Sequence, residues 1–185
     1  MNSFLVNLFL YYARFPAQKG VQQLFNKGRS GLAGYSELEA KIKDLPEAII
    51  PEINNYIFSS NFEAVQYSVN NLIGYYLFVD YGEISSTADR VNNNVETSRM
   101  AITVAYKTKS FSNDIIEQLL TSEQCLQYLV QIRNTMLREQ QTIPWLKELS
   151  KSHDIVPFGR SDLSSVGWSM LFERKAFDMF NAKGR

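Results

Sequence analysis

Apolar residues along this chain change rhythm three times, from helical spacing to strict alternation, back to helical spacing, and finally to a second strand-like stretch. The first run, residues 4–12 (FLVNLFLYY), predicts a short helix that stops at Phe15-Pro16, because proline drives the residue before it out of helical geometry. Gly28, Gly31 and Gly34 among basic and small residues then predict a flexible linker over 26–34. Lys27 and Arg29 lie in it, but without the preceding strand and following Lys-Ser/Thr pair of a phosphate loop. Ser36 and Glu39 form a capping box ahead of Leu38, Ile42 and Leu45, a helix that Pro46 and Pro51 limit. Ile49, Ile50, Ile53, Tyr56 and Ile57 resume a helical apolar face, and Asn61 caps a further helix with Val65, Val69, Leu72 and Ile73 inward.

At Gly74 the period shortens to two. Residues 75–84 (YYLFVDYGEI) read as a strand that Gly82 bulges, and 97–108 (TSRMAITVAYKT) as a second, with Met100, Ile102, Val104 and Tyr106 on one face. The polar run 85–94 joins them as a hairpin with a long, mobile tip. Ser112 and Asp114 open a short helix, and Thr121 with Gln124 makes a second capping box before the stripe Leu126, Leu129, Val130, Met136 and Leu137. Thr142 caps a turn containing Pro144. A loop over 150–165 leads to a last strand over 166–180. The sum is an α+β chain with helices packed on a mainly antiparallel sheet, organised as an N-terminal apolar helical arm and linker (1–34) before an α+β domain (35–185).

Composition adds limits. At 185 residues, 45% hydrophobic and 21% charged, the chain is long and apolar enough to bury a core. Nineteen basic residues balance nineteen acidic ones, so no overall field draws in nucleic acid or an acidic lipid surface. The single cysteine, Cys125, allows no intrachain disulfide and points to a reducing compartment, the cytoplasm. The N-terminal apolar run has no basic n-region, is interrupted by Asn7, and is far shorter than the ~20 residues needed to cross a bilayer.

Candidate chemistry is sparse. Any histidine mechanism must use His153, which sits beside Asp154 in a polar stretch with no nucleophile motif around it; a solvated loop histidine is the favoured reading. Cys125 lies early in its helix, placed either to gain thiolate character or to fill the core. Asp80, Glu83 and Asp89 offer oxygen ligands without the dense acidic spacing of a calcium loop. Arg133, Arg138, Arg160, Arg174 and Lys175 are interleaved with Glu139, Asp162, Glu173 and Asp178, the pattern of a salt-bridged face rather than a phosphate track. No catalytic, cofactor-binding or metal-binding residue is assigned, and no small-molecule substrate or membrane is expected. Tyr75, Tyr76, Phe78, Tyr81, Trp168, Phe172, Phe177 and Phe180 divide between two readings, interface anchors or a well-filled core.

The order of elements over residues 75–108, 112–141 and 166–180, a little more than half of the chain, resembles the small ring-forming proteins of the tailed-bacteriophage neck and tail, especially tail-terminator and head-completion subunits. The resemblance implies a non-enzymatic structural subunit in a homo-oligomeric ring, made in the host cytoplasm and carried in the virion. Its partners would be its own copies and neighbouring structural proteins, with DNA only passing through the lumen. It also implies contact roles for the hairpin tip, with Asn92, Asn93 and Asn94, and for the arm, whose Phe4, Leu5, Leu8, Phe9 and Tyr12 would dock on a neighbour. Trp168 and Phe172 complete the interface candidates. The alternatives are a small hydrolase-like enzyme using His153, or a monomeric adaptor.

Overall fold

The computed structural model of the chain describes residues 4–25, 31–88, 94–108, 114–150, 152–160 and 163–177. Helices α1 (Phe4–Tyr12), α2 (Gln18–Gln22) and α3 (Tyr35–Lys43) come first, with a 3-10 turn at Gln23–Phe25. Strand β1 (Asn55–Phe58), helix α4 (Phe62–Asn70), β2 (Gly74–Ala88) and β3 (Asn94–Lys107) follow, then the long helix α5 (Ile115–Glu139), the short α6 (Pro144–Lys147), β4 (Asp154–Arg160) and β5 (Ser165–Phe177). The strands form one mixed sheet in the order β1-β2-β3-β5-β4, parallel between β1 and β2 and antiparallel elsewhere. The fold is therefore α+β on a mostly antiparallel sheet.

Alternation along the strands makes two faces. On the first, Leu77, Val79, Met100, Ile102, Val104, Met170 and Phe172 pack beneath Leu8 and Tyr12 of α1 and Cys125, Leu129, Ile132 and Met136 of α5. On the second, Ile57, Tyr76 and Ala105 pack against Val65 and Val69 of α4 and against Leu163. Asn61 caps α4 as its sequence predicts, accepting from the Ala64 N–H. Gly82 adopts φ +54° where the β2–β3 register shifts between Asp80 and Glu83, so the bulge is real. Gly167 serves close approach instead: a Cβ there would lie 2.2 Å from the Val104 carbonyl oxygen.

Two expectations of burial fail, since Ile73 and Leu137 are 57% and 42% exposed, and five expectations about the elements give way. The segment 49–57 is not helical: Ile49 and Ile50 N–H groups bond to the Arg14 and Phe15 carbonyls, Ala17 N–H bonds to Ile53, and Tyr56 and Ile57 point to opposite faces of β1. Tertiary pairing with the arm overrides the apparent helical period. Residues 85–88 are no loop, since Ser85 to Ala88 pair with Thr97 to Asn94; only the very tip, with Asn92 and Asn93, lies outside the described residues. The Ser36 capping box is unused because the N-cap of α3 is Gly34, two residues earlier. The Thr121 capping box is likewise unused, because Asp114 caps one continuous helix by accepting from Ile116 and Glu117 N–H. Finally, the stretch read as a loop over 150–165 contains edge strand β4, where Pro157 is tolerated because an edge leaves one side without ladder bonds.

The arm packs on its own chain. Tyr11, Arg14 and Glu139 tie α1 and the turn after it to the end of α5: the Tyr11 hydroxyl donates to Glu139 Oε2 at 2.8 Å, and the Arg14 guanidinium donates to both carboxylate oxygens at 2.6 and 3.3 Å. Burial pushes the Glu139 carboxyl up, but these hydrogen bonds and the Arg14 charge outweigh it and hold the group below its ordinary value. Among the described residues no helix is long and apolar enough to cross a membrane.

Candidate functional site

The aromatic residues singled out for contact are mostly spent inside the chain. Leu8, Tyr12 and Phe172 are buried, so the expectation that they meet a neighbour is corrected: they fill the space between α1, α5 and the sheet. Phe9 stacks edge-on against Phe58, with ring centroids 5.3 Å apart. Phe4 lies over the Arg174 guanidinium, 4.7 Å from ring centroid to Cζ. Trp168 is half-buried and donates its indole N–H to Ser122 at 2.9 Å. Tyr76 is buried, and Tyr75, Phe78 and Tyr81 are half-buried. Leu5 is exposed. Among the described residues, the one exposed large aromatic is Tyr67, which the sequence reading placed on no surface. The side chain of Asn94 and the placement of Phe180 lie outside the description.

The chemical candidates are kept apart. Cys125 is buried, its Sγ 3.7 Å from the Val166 carbonyl, and burial pushes the thiol up to about 12, which makes it a core filler. His153 lies at the other end of the same sheet region, where its Nε2 accepts from Arg133 Nε at 2.5 Å. Arg133 is eight positions beyond Cys125 on α5, about 12 Å along a helix, so thiol and imidazole are not neighbours. The described residues contain no group of three or more side chains able to hold a metal ion, and Asp89 lies outside them.

Two surfaces remain. The first is a groove of about 580 Å³ across the second sheet face, above the part that α4 covers. Its floor is Ala101 and the exposed Leu171, and one wall is the β2 bulge, where Asp80 Oδ1 accepts from Gly82 N–H at 2.8 Å. The far wall is the turn Ser150, Ser152, His153 and Asp154 before β4, and Glu83, Arg99 and Glu173 close the top. Arg99 Nε donates to Glu173 Oε1 at 3.0 Å, and this hydrogen bond and the Glu173 charge raise the Arg99 pKa. Asp80, Ala101, Leu171 and Asp154 stand in one register across four strands, which puts a carboxylate at each end of an apolar row.

The second surface is the start of α5. Ile115, Ile116, Leu119 and Leu120 are 60–77% exposed, although the same helix buries Cys125, Leu129 and Ile132 completely further along. The Trp168–Ser122 and Cys125–Val166 contacts mark where α5 meets β5; upstream of them its large aliphatic side chains face solvent. Four large aliphatics this exposed and this close form the kind of patch that soluble monomers rarely leave open. The sequence pattern does not reveal it, because Ser112 and Asp114 read as opening a separate short helix ahead of the Thr121 capping box. Beside the sheet, β1 covers the outer edge of β2 only over residues 76–79, and among the described residues no strand pairs with that edge over 81–88.

An α+β chain with a five-stranded mixed sheet, an arm folded onto its own core, and an exposed apolar helix end is what the fold and surface define. No protein-family model, curated protein or solved structure matches the chain.

Proposed function

We propose that this chain is a non-enzymatic structural subunit that assembles with copies of itself into a closed ring, of the kind that builds the neck and tail of tailed bacteriophages. The observation that carries the reading is the aliphatic cluster Ile115, Ile116, Leu119 and Leu120 at the start of α5, which needs a second surface to cover it. A helix end and a β2 edge that no described strand pairs over 81–88 are two different features on one chain. They suit a head-to-tail contact, and such contacts generate rings when the rotation closes. Neighbouring structural proteins would stack on the ring, DNA would pass through its lumen, and the assembly would leave the host cytoplasm in the virion.

Light scattering and electron microscopy of the purified chain test this directly. The expected result is a species many times the 21.3 kDa subunit mass, seen as rings. A monomer at every concentration, or a simple two-fold dimer, overturns it.

A further inference from the structure

The groove on the second sheet face has a charge character that selects its occupant. Asp80, Glu83, Asp154 and Glu173 contribute four carboxylates to its walls, and Arg99 is the guanidinium among its lining residues. Between them the floor of Ala101 and Leu171 is uncovered by any described helix, and Leu171 is 41% exposed in the middle of the sheet. A sheet face with an apolar floor and an acidic rim matches a segment that carries apolar side chains flanked by lysine or arginine. The aliphatic start of α5 from a second copy is the wrong occupant, because it brings Asp114 and Glu117 with it and would set acid against acid.

We propose that this groove is a docking site for a basic, apolar-bearing segment of a partner protein. The inference does not rest on the ring reading, since the groove and the start of α5 are separate surfaces. The floor would bury the partner's apolar side chains, and the rim would orient its cations and hasten encounter. Ser150 and Ser152 add hydroxyls at the β4 end.

The test uses the full-length chain and a fluorescein-labelled amphipathic peptide of lysine and leucine, read by fluorescence anisotropy. Asp80→Asn with Asp154→Asn removes both end carboxylates; asparagine keeps the Oδ1 that holds the bulge, and circular dichroism checks the fold. Asp154→Asn alone, on an exposed edge residue, provides the variant that leaves the bulge untouched. The double variant is expected to weaken binding roughly five- to tenfold and flatten its salt dependence, with the single variant between. Glu37→Gln with Glu39→Gln, which removes two acids of α3 far from the groove in sequence, is expected to leave binding unchanged. A glutamate-leucine peptide of the same length should not bind. The proposal is overturned if the wild-type chain does not bind the basic peptide, if the α3 variant weakens binding as much as the groove variants, or if self-assembly blocks the peptide, which would give the groove to a second copy.

Discussion

The two halves of α5 carry side chains of the same kind in opposite surroundings. Over its later turns Leu129 and Ile132 are wholly buried between the sheet and the arm, whereas Ile115, Ile116, Leu119 and Leu120 at its start face solvent. At 25 residues the helix is about 37 Å long, and the sheet and arm cover only its later part. Hydrophobic pattern therefore states which residues are apolar but not which of them are covered: among the described residues this chain covers Leu129 and Ile132 and leaves Ile115, Ile116, Leu119 and Leu120 exposed. The contrast also explains why the aromatic surplus is a poor guide to contact here. Tyr12, Phe15 and Tyr76 are consumed by a core that wraps both faces of the sheet, and the outward burden falls on aliphatics.

The sharpest way to break the contrast is to cut into the buried half. Ile132→Ala removes a completely buried side chain from the seam between α5 and the sheet, with an expected loss of about 3–4 kcal/mol of unfolding free energy by chemical denaturation. A loss below about 1 kcal/mol would mean that α5 does not pack on the sheet as described.

A smaller effect is expected where α5 ends against the arm. Glu139→Gln keeps the shape but removes the charge that receives Tyr11 and Arg14, costing about 2 kcal/mol at neutral pH. Because the folded carboxyl lies below its ordinary value, the sign is fixed: its contribution is complete above the unfolded pKa of about 4.3 and is lost as pH falls through the lower folded value. Acid titration of stability should therefore be shallower for the glutamine variant. Equal acid sensitivity in both proteins would remove this cluster from the account and with it the firm attachment of the arm.

How much of this was legible in the sequence follows the strength of local signals. The β2–β3 hairpin, the bulge at Gly82 and the Asn61 cap were readable, because alternation, a glycine with positive φ and a side-chain cap are decided within a few residues. Strands β1 and β4 were not. They are short edge strands whose pairing partners, β2 and β5, supply the reason for them, and Pro157 and Gly159 speak locally against a strand. The groove is legible only in fragments: Asp80 and Glu83 read as one carboxylate group and Asp154 as a neighbour of His153, and it takes the register Asp80, Ala101, Leu171, Asp154 to bring Asp80 and Asp154 to one face. The cis packing of the arm is equally nonlocal, since Arg14 and Glu139 are 125 positions apart.

The smallest stability effect carries the most information about function. Ile116→Glu with Leu120→Glu keeps good helix formers, and position 116 lies in the first turn, where negative charge suits the helix dipole. Both side chains are more than half exposed, so dilute protein should unfold within about 0.5 kcal/mol of the parent chain. Self-association, measured by light scattering at higher concentration, should nevertheless be lost, because covering the cluster would now bury two carboxylates without partners. A variant that associates like the parent chain would show that the overhanging half is not the contact. A variant that unfolds easily would show that α5 is supported along its whole length, and the contrast between its halves would collapse.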